Sequence, residues 1–92
     1  MNYKIYQLKN KDLLFLPYIE SKFDFNNYKE VYSGTLENIS DNIFENLENI
    51  YRKFNIAHPE DFVGHSLSVS DLVEINNELY YCDSFGWTKI NK

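Results

Sequence analysis

The sequence predicts an α+β fold in which one amphipathic helix packs on one face of a mainly antiparallel sheet of about four to five strands. Three observations lead to this class. The chain has 92 residues, which suits a single domain over residues 1–92. Apolar residues recur at helical spacing in the middle of the chain, and β-favouring segments bounded by turn residues lie on both sides of it. A single helix among several strands packs most simply on one face of their sheet.

The helix is predicted at about 41–54. Its apolar stripe follows the 3.6-residue period of one helix face and contains Ile43, Phe44, Leu47, Ile50, Tyr51 and Phe54. Ser40 or Asp41 is suited to cap its first turn. Glu48 precedes Arg52 by four residues, which favours an ion pair between them. The opposite face presents polar residues to solvent, namely Asp41, Glu45, Glu48 and Asn49.

The strands are predicted at 2–8 and 28–33 before the helix and at 72–76, 79–83 and 87–90 after it. Gly34 is expected to end the second of them. Residues 11–22 are compatible with a short helix or a turn, and residues 57–71 with an ordered loop. Asn76 and Asn77 tolerate the left-handed backbone of a tight turn, so they predict a hairpin between the third and fourth strands.

Negative charge is concentrated in residues 37–83. This segment holds ten acidic residues against Arg52 and Lys53, a net −8 within a chain of net −5. Such a segment repels nucleic acid and anionic membranes and attracts basic protein surfaces. Plain solubility is the alternative explanation. We therefore expect no direct binding of nucleic acid.

The cellular compartment is indicated by cysteine use and hydropathy. Cys82 is the single cysteine, so an intrachain disulfide is impossible, as is usual in a reducing compartment. The longest uninterrupted apolar run, 13–18, is far shorter than the ~20 residues that span a bilayer. These observations predict a cytoplasmic protein that does not bind membranes.

Catalytic and metal-binding patterns are weak. Cys82 with His58 or His65 is the possible nucleophile–base pair, and Asp83 is the possible third group. The same four residues are the potential metal ligands, but no CxxC and no His pair at zinc-site spacing is present. Cys82 also lies in an apolar strand, where a cysteine is typically a small buried hydrophobe.

Glu60 and Asp61 are adjacent carboxylates, which acid–base chemistry can use. Here they are equally typical of a solvated turn, or of the first turn of a helix after Pro59. The glycines match no phosphate-binding loop. We therefore expect no catalytic residue, no metal ligand and no cofactor, and the protein is predicted not to be an enzyme.

Protein binding remains the function that the composition favours. The predicted charge contacts to a partner are Asp41, Glu45, Glu48, Glu60 and Asp61. Trp87 and the tyrosines are the predicted anchors, because aromatic side chains dominate interface energetics while charge steers the encounter.

Four ordered segments of the second half carry a resemblance to a known family. They are Tyr51-x-x-Phe54-Asn55, His58-Pro59-x-Asp61-Phe62, Gly64-His65-Ser66-Leu67-Ser68-Val69-Ser70-Asp71 and Tyr80-Tyr81-Cys82-Asp83-Ser84-Phe85-Gly86. Together they resemble the YodL-like domain found in proteins of bacterial plasmids, phages and conjugative elements. Residues 28–34 and the first strand are similar as well, so the resemblance covers most of the chain.

The resemblance implies a mobile-element setting in a bacterial host and supplies no catalytic residues. Small acidic proteins of such elements often disarm host defence. The resulting hypothesis is an anti-CRISPR inhibitor that binds a CRISPR nuclease such as Cas9. The alternative is an adaptor that binds another host protein, of the cytoskeleton or of replication.

Overall fold

The computed structural model describes residues 1–9, 23–37, 39–56, 59–62, 64, 66–83 and 86–90. Its elements are β1 (Asn2–Leu8), a short 3₁₀ turn (Phe25–Asn27), β2 (Tyr28–Thr35), α1 (Ile43–Ile56), β3 (Leu72–Ile75), β4 (Glu78–Asp83) and β5 (Gly86–Ile90). The predicted α+β class is confirmed. The predicted helix or turn at 11–22 lies outside the described residues.

The strands form one antiparallel sheet in the order β2-β1-β3-β4-β5. The prediction of a mainly antiparallel sheet of four to five strands is therefore confirmed. β3 and β4 form the predicted hairpin, and its turn consists of Asn76 and Asn77, with φ of 55° and 65°. β3 ends one residue earlier than predicted because Asn76 belongs to the turn, and β4 begins one residue earlier because Glu78 pairs with Ile75.

The prediction that Gly34 ends the second strand is wrong, since β2 continues to Thr35. Gly34 pairs with Tyr3 of β1. A Cβ atom there would lie 2.8 Å from Cε2 of Tyr32 and 2.9 Å from the hydroxyl oxygen of Tyr3. The glycine therefore leaves room for two tyrosine rings within a continuous strand.

Helix α1 begins and ends two residues later than predicted. Its N-cap is Asn42 rather than Ser40 or Asp41, because Oδ1 of Asn42 accepts a hydrogen bond from the backbone N–H of Phe44 at 2.9 Å. Ser40 supports the cap from outside the helix, where its Oγ accepts from the N–H of Asn42 at 3.1 Å.

The helix packs on one face of the sheet, as predicted, through a cluster of aromatic rings. Phe54 is fully buried and meets the rings of Phe62, Tyr32 and Tyr3 edge-on at centroid distances of 4.8, 5.1 and 6.2 Å. The other face of the sheet carries a second apolar cluster of Leu8, Tyr28, Leu72, Leu79, Tyr81 and Ile90.

Phe44 departs from the predicted buried stripe. Its side chain is 47% exposed, and its ring meets Tyr80 edge-on at 6.3 Å. Phe44 lies at the edge of the buried side of the helix, where its contact with Tyr80 of β4 covers only part of the ring.

No helix among the described residues combines the length and apolar character needed to cross a bilayer.

Candidate functional site

The six predicted contact residues form two groups, one near each end of α1. Asp41, Glu45 and Glu48 are exposed on the N-terminal half of the helix and the turn before it. Glu60 and Asp61 follow the C-terminal end. The helix has 14 residues, which at about 1.5 Å per residue is roughly 20 Å long. The structure therefore does not join all five carboxylates in one patch.

Trp87 joins the first group through a hydrogen bond across the fold. Its Nε1–H donates to Oε1 of Glu48 at 3.0 Å, and its ring meets that of Tyr51 edge-on at 6.3 Å. Arg52, the predicted ion-pair partner of Glu48, instead donates from Nη1 to Oδ1 of Asn49 at 3.4 Å. Residues 39 positions apart thus define this surface, which sequence spacing did not indicate.

We call the exposed surface formed by Asp41, Phe44, Glu45, Glu48 and Trp87 the acidic helix face. Glu45, Glu48 and the half-exposed ring of Phe44 line one surface depression, together with Asn42, Asn49 and Arg52. Glu45 is held in place by the hydroxyl of Ser40, which donates to its Oε2. The face therefore combines an apolar ring with carboxylates that are partly fixed in position.

A small cleft opens beside this face, between α1 and the end of the β4–β5 pair. Its volume is about 150 Å³, and its described lining includes Glu48, Tyr51, Val69, Cys82, Asp83 and Trp87. We call it the helix–sheet cleft. Two of its lining residues, Glu48 and Trp87, belong to the predicted contact set.

Cys82 is buried at the inner side of this cleft. Burial, together with the negative charges of Asp71, Glu48 and Asp83, raises the pKa of its thiol to about 12. Cys82 is therefore a neutral thiol at physiological pH, and the thiolate is the nucleophilic form. Its potential bases, His58 and His65, lie outside the described residues.

The metal-site hypothesis involves the same two histidines. Within the described part of the chain, no group of three or more His, Cys, Asp or Glu side chains is arranged to hold a metal ion.

Glu60 and Asp61 occupy a tight turn, in which the N–H of Phe62 donates to the carbonyl of Pro59 at 3.0 Å. Asp61 also faces the hydroxyl of Tyr32. Burial, followed by the charge of Asp61 and its hydrogen bond, raises the pKa of Tyr32. Glu60 and Asp61 are both exposed, and Asp61 in addition interacts with the hydroxyl of Tyr32.

A buried polar group around Asp71 was not predicted. Asp71 is fully buried, and its Oδ2 accepts from Nε2 of Gln7 at 3.1 Å and from the N–H of Ser68 at 3.0 Å. The hydroxyl of Tyr28 donates to the carbonyl of Ser70 at 2.7 Å nearby. One sequence signal was present, because Gln7 alternates with Tyr3 and Ile5 and so points into the core, where a polar side chain needs a partner.

Gly64 is explained by the same group. A Cβ atom at this position would lie 2.4 Å from Oε1 of Gln7 and 3.0 Å from the ring of Phe62. Gly64 and Asp71 thus both lie against Gln7 of β1, which is a structural role for two residues of the longest segment that carries the family resemblance.

Comparison with known proteins agrees with that resemblance. The family model described as YodL-like domain matches residues 2–92. Neither a curated protein nor a solved structure gave a significant match. Since the model covers nearly the whole chain, the chain belongs to the YodL-like domain family.

Proposed function

We propose that this protein is a non-enzymatic, protein-binding inhibitor that docks its acidic helix face on a basic surface of a bacterial host protein. The observation that carries the proposal is the 47% exposure of Phe44 beside Glu45 and Glu48, which line one surface depression with it. A large ring left half-uncovered next to carboxylates has the composition of an interface anchor with a polar rim.

The charge of the wider segment supports a basic partner. Residues 37–83 carry a net −8. Opposite charge on the two surfaces speeds the encounter and disfavours acidic competitors. The aromatic ring then contributes the contact area that holds the complex together.

We extend the proposal to a CRISPR effector nuclease as the target. Such enzymes hold nucleic acid in a positively charged channel that recognises the phosphate backbone. Carboxylates presented along a helix compete with phosphates for the same Lys and Arg side chains. The mobile-element setting implied by the family resemblance supports this choice of target.

The test uses two charge-reversal pairs with the same change in net charge. Asp41→Lys/Glu45→Lys alters the acidic helix face, and Glu30→Lys/Glu37→Lys alters exposed acids elsewhere. Each purified variant is assayed for inhibition of DNA cleavage by a panel of CRISPR effectors and for binding to the inhibited effector. Circular dichroism and thermal unfolding verify that each variant is folded.

The helix-face pair, and Phe44→Ser separately, are expected to weaken inhibition by about tenfold or more, which corresponds to about 1.4 kcal/mol of binding free energy. The control pair is expected to inhibit like the wild type. A helix-face pair that inhibits fully would contradict the proposed surface. Failure of the wild type to inhibit any effector, with capture of a cytoskeletal or replication protein that the helix-face pair no longer binds, would favour the adaptor.

A further inference from the structure

We propose that the helix–sheet cleft binds the guanidinium group of an arginine side chain supplied by the partner protein. This inference rests on the proposed function, since it names the group that the partner would insert beside the acidic helix face.

The size of the cleft suits one side-chain head group. Its volume of about 150 Å³ is below the roughly 300–1,000 Å³ of sites that hold small-molecule ligands. We therefore expect it to take a single planar guanidinium rather than a ligand of nucleotide size.

The lining provides two kinds of contact that a guanidinium uses together. Tyr51 and Trp87 contribute aromatic rings set edge-on at 85°, and Trp is the strongest ring partner for a cation over its face. Glu48 contributes a carboxylate at the cleft. Its Oε1 accepts from the indole of Trp87, which holds the group in place, and a carboxylate has lone pairs for further donors.

The electrostatic field inside the cleft favours a cation. Burial is the main cause of the raised pKa of the Cys82 thiol, and the negative charges of Asp71, Glu48 and Asp83 raise it further, so negative potential reaches the inner side of the cleft. Asp83 itself accepts a hydrogen bond from the Thr88 hydroxyl at 3.2 Å. None of the described lining residues is a lysine or an arginine, so the described lining supplies no cation of its own.

Arginine suits this arrangement better than lysine. Its planar, weakly hydrated fork stacks on an aromatic face while it donates to a carboxylate in the same plane. An ammonium group is more strongly hydrated and presents no flat surface to Trp87.

Trp87 makes the test direct, because it is the single tryptophan and lies in the cleft. The fluorescence of the full chain is titrated, at low salt, with a short blocked peptide containing one arginine. Two matched peptides replace arginine by lysine or by citrulline, which has the shape of arginine without its charge.

A saturable change in Trp87 fluorescence is expected with the arginine peptide. The lysine peptide should bind about tenfold more weakly, and the citrulline peptide should cause no change. Glu48→Gln should weaken arginine binding by about tenfold while it preserves an acceptor for Trp87. Glu37→Gln, at an exposed acid outside both the cleft and the acidic helix face, is the matched control and should stay within about twofold of the wild type.

Equal responses to arginine and citrulline, no saturation, or unchanged binding by Glu48→Gln would overturn the inference. The same variant separates this result from the proposed function. If the protein binds arginine but inhibits no effector, the arginine site stands and the proposed inhibitor function is rejected. If Glu48→Gln no longer binds arginine but still inhibits, the inferred role of the cleft is rejected and the inhibitor function stands.

Discussion

Gln7 on β1 donates a hydrogen bond from Nε2 to Oδ2 of Asp71, 3.1 Å away and 64 residues later in the chain. Both side chains are buried. Asp71 is one of the ten acids of the negative segment, yet its side chain is buried inside the fold. The segment therefore exposes fewer carboxylates than its count of acids, and Asp41, Glu45 and Glu48 are exposed in α1 and in the turn before it.

Asp71→Ala is expected to lower the free energy of unfolding by about 2–4 kcal/mol, because Nε2 of Gln7 and the N–H of Ser68 both lose their acceptor in a buried place. Asp41→Ala, at an exposed position, should change stability by less than about 0.5 kcal/mol. Urea unfolding at neutral pH measures both. Equal midpoints for the two variants would contradict the structural role of Asp71.

Gly64→Ala is expected to destabilise the protein through its contact with Gln7, since the new methyl carbon would lie 2.4 Å from Oε1 of that side chain. A double-mutant cycle with Gln7→Ala isolates this contact. In the Gln7→Ala background, Gly64→Ala should cost at least about 0.5 kcal/mol less than in the wild type. Strict additivity of the two changes would show that the contact is not the reason for the glycine.

Phe54→Ala and Phe44→Ala remove the same ring from one helix with different consequences. Phe54 is fully buried among three aromatic rings, so its loss should cost about 3–5 kcal/mol. Phe44 is about half exposed and should cost roughly 1 kcal/mol. Thermal or urea unfolding distinguishes them. A large loss on truncation of Phe44 would mean that the ring is a core residue rather than an anchor for a partner.

Stability is expected to fall as the pH rises above about 9. Burial raises the pKa of Cys82 from 9.0 to about 12, and burial also raises those of Tyr3 and Tyr81 from 10.0 to about 12. The unfolded chain loses these protons first, so deprotonation favours unfolding between about pH 9 and pH 12. Below pH 9 the three groups are protonated in both states, and their contribution is constant.

Cys82→Ala provides the control for this pH dependence. Its stability should begin to fall nearer pH 10, where the unfolded tyrosines ionise, instead of pH 9. Urea midpoints measured at intervals from pH 7 to pH 11 check the difference. Identical profiles for the wild type and the variant would exclude the buried thiol as a source of the effect.

The sequence predicted the elements well where local chemistry decides them. The period of Leu47, Ile50 and Phe54 identifies the buried side of α1, and Asn76-Asn77 marks the hairpin turn. Local preference also explains the error at the helix start, because Ser40, Asp41 and Asn42 are all good caps and only the packing of the helix selects Asn42.

The candidate site was predictable in kind but not in arrangement. Exposed carboxylates on α1 follow from its helical period, but nothing near Glu48 in the sequence points to Trp87, because a strand pairing and a helix docking bring them together. The same holds for Gly34, whose neighbour Tyr3 is known only from the register of β1 and β2. These contacts depend on long-range strand pairing, so they could not be predicted from the spacing of residues in the sequence.

The sheet order has a consequence for the assembly of the chain on the ribosome. β1 lies inside the sheet between β2 and β3, and Tyr3 is paired with Ile75. During synthesis β1 and β2 can pair early, but the second edge of β1 waits until β3 has been made. Contacts so distant in sequence slow folding, and an unpaired strand edge invites association with other chains. The nascent chain is therefore most exposed to aggregation just before β3 emerges.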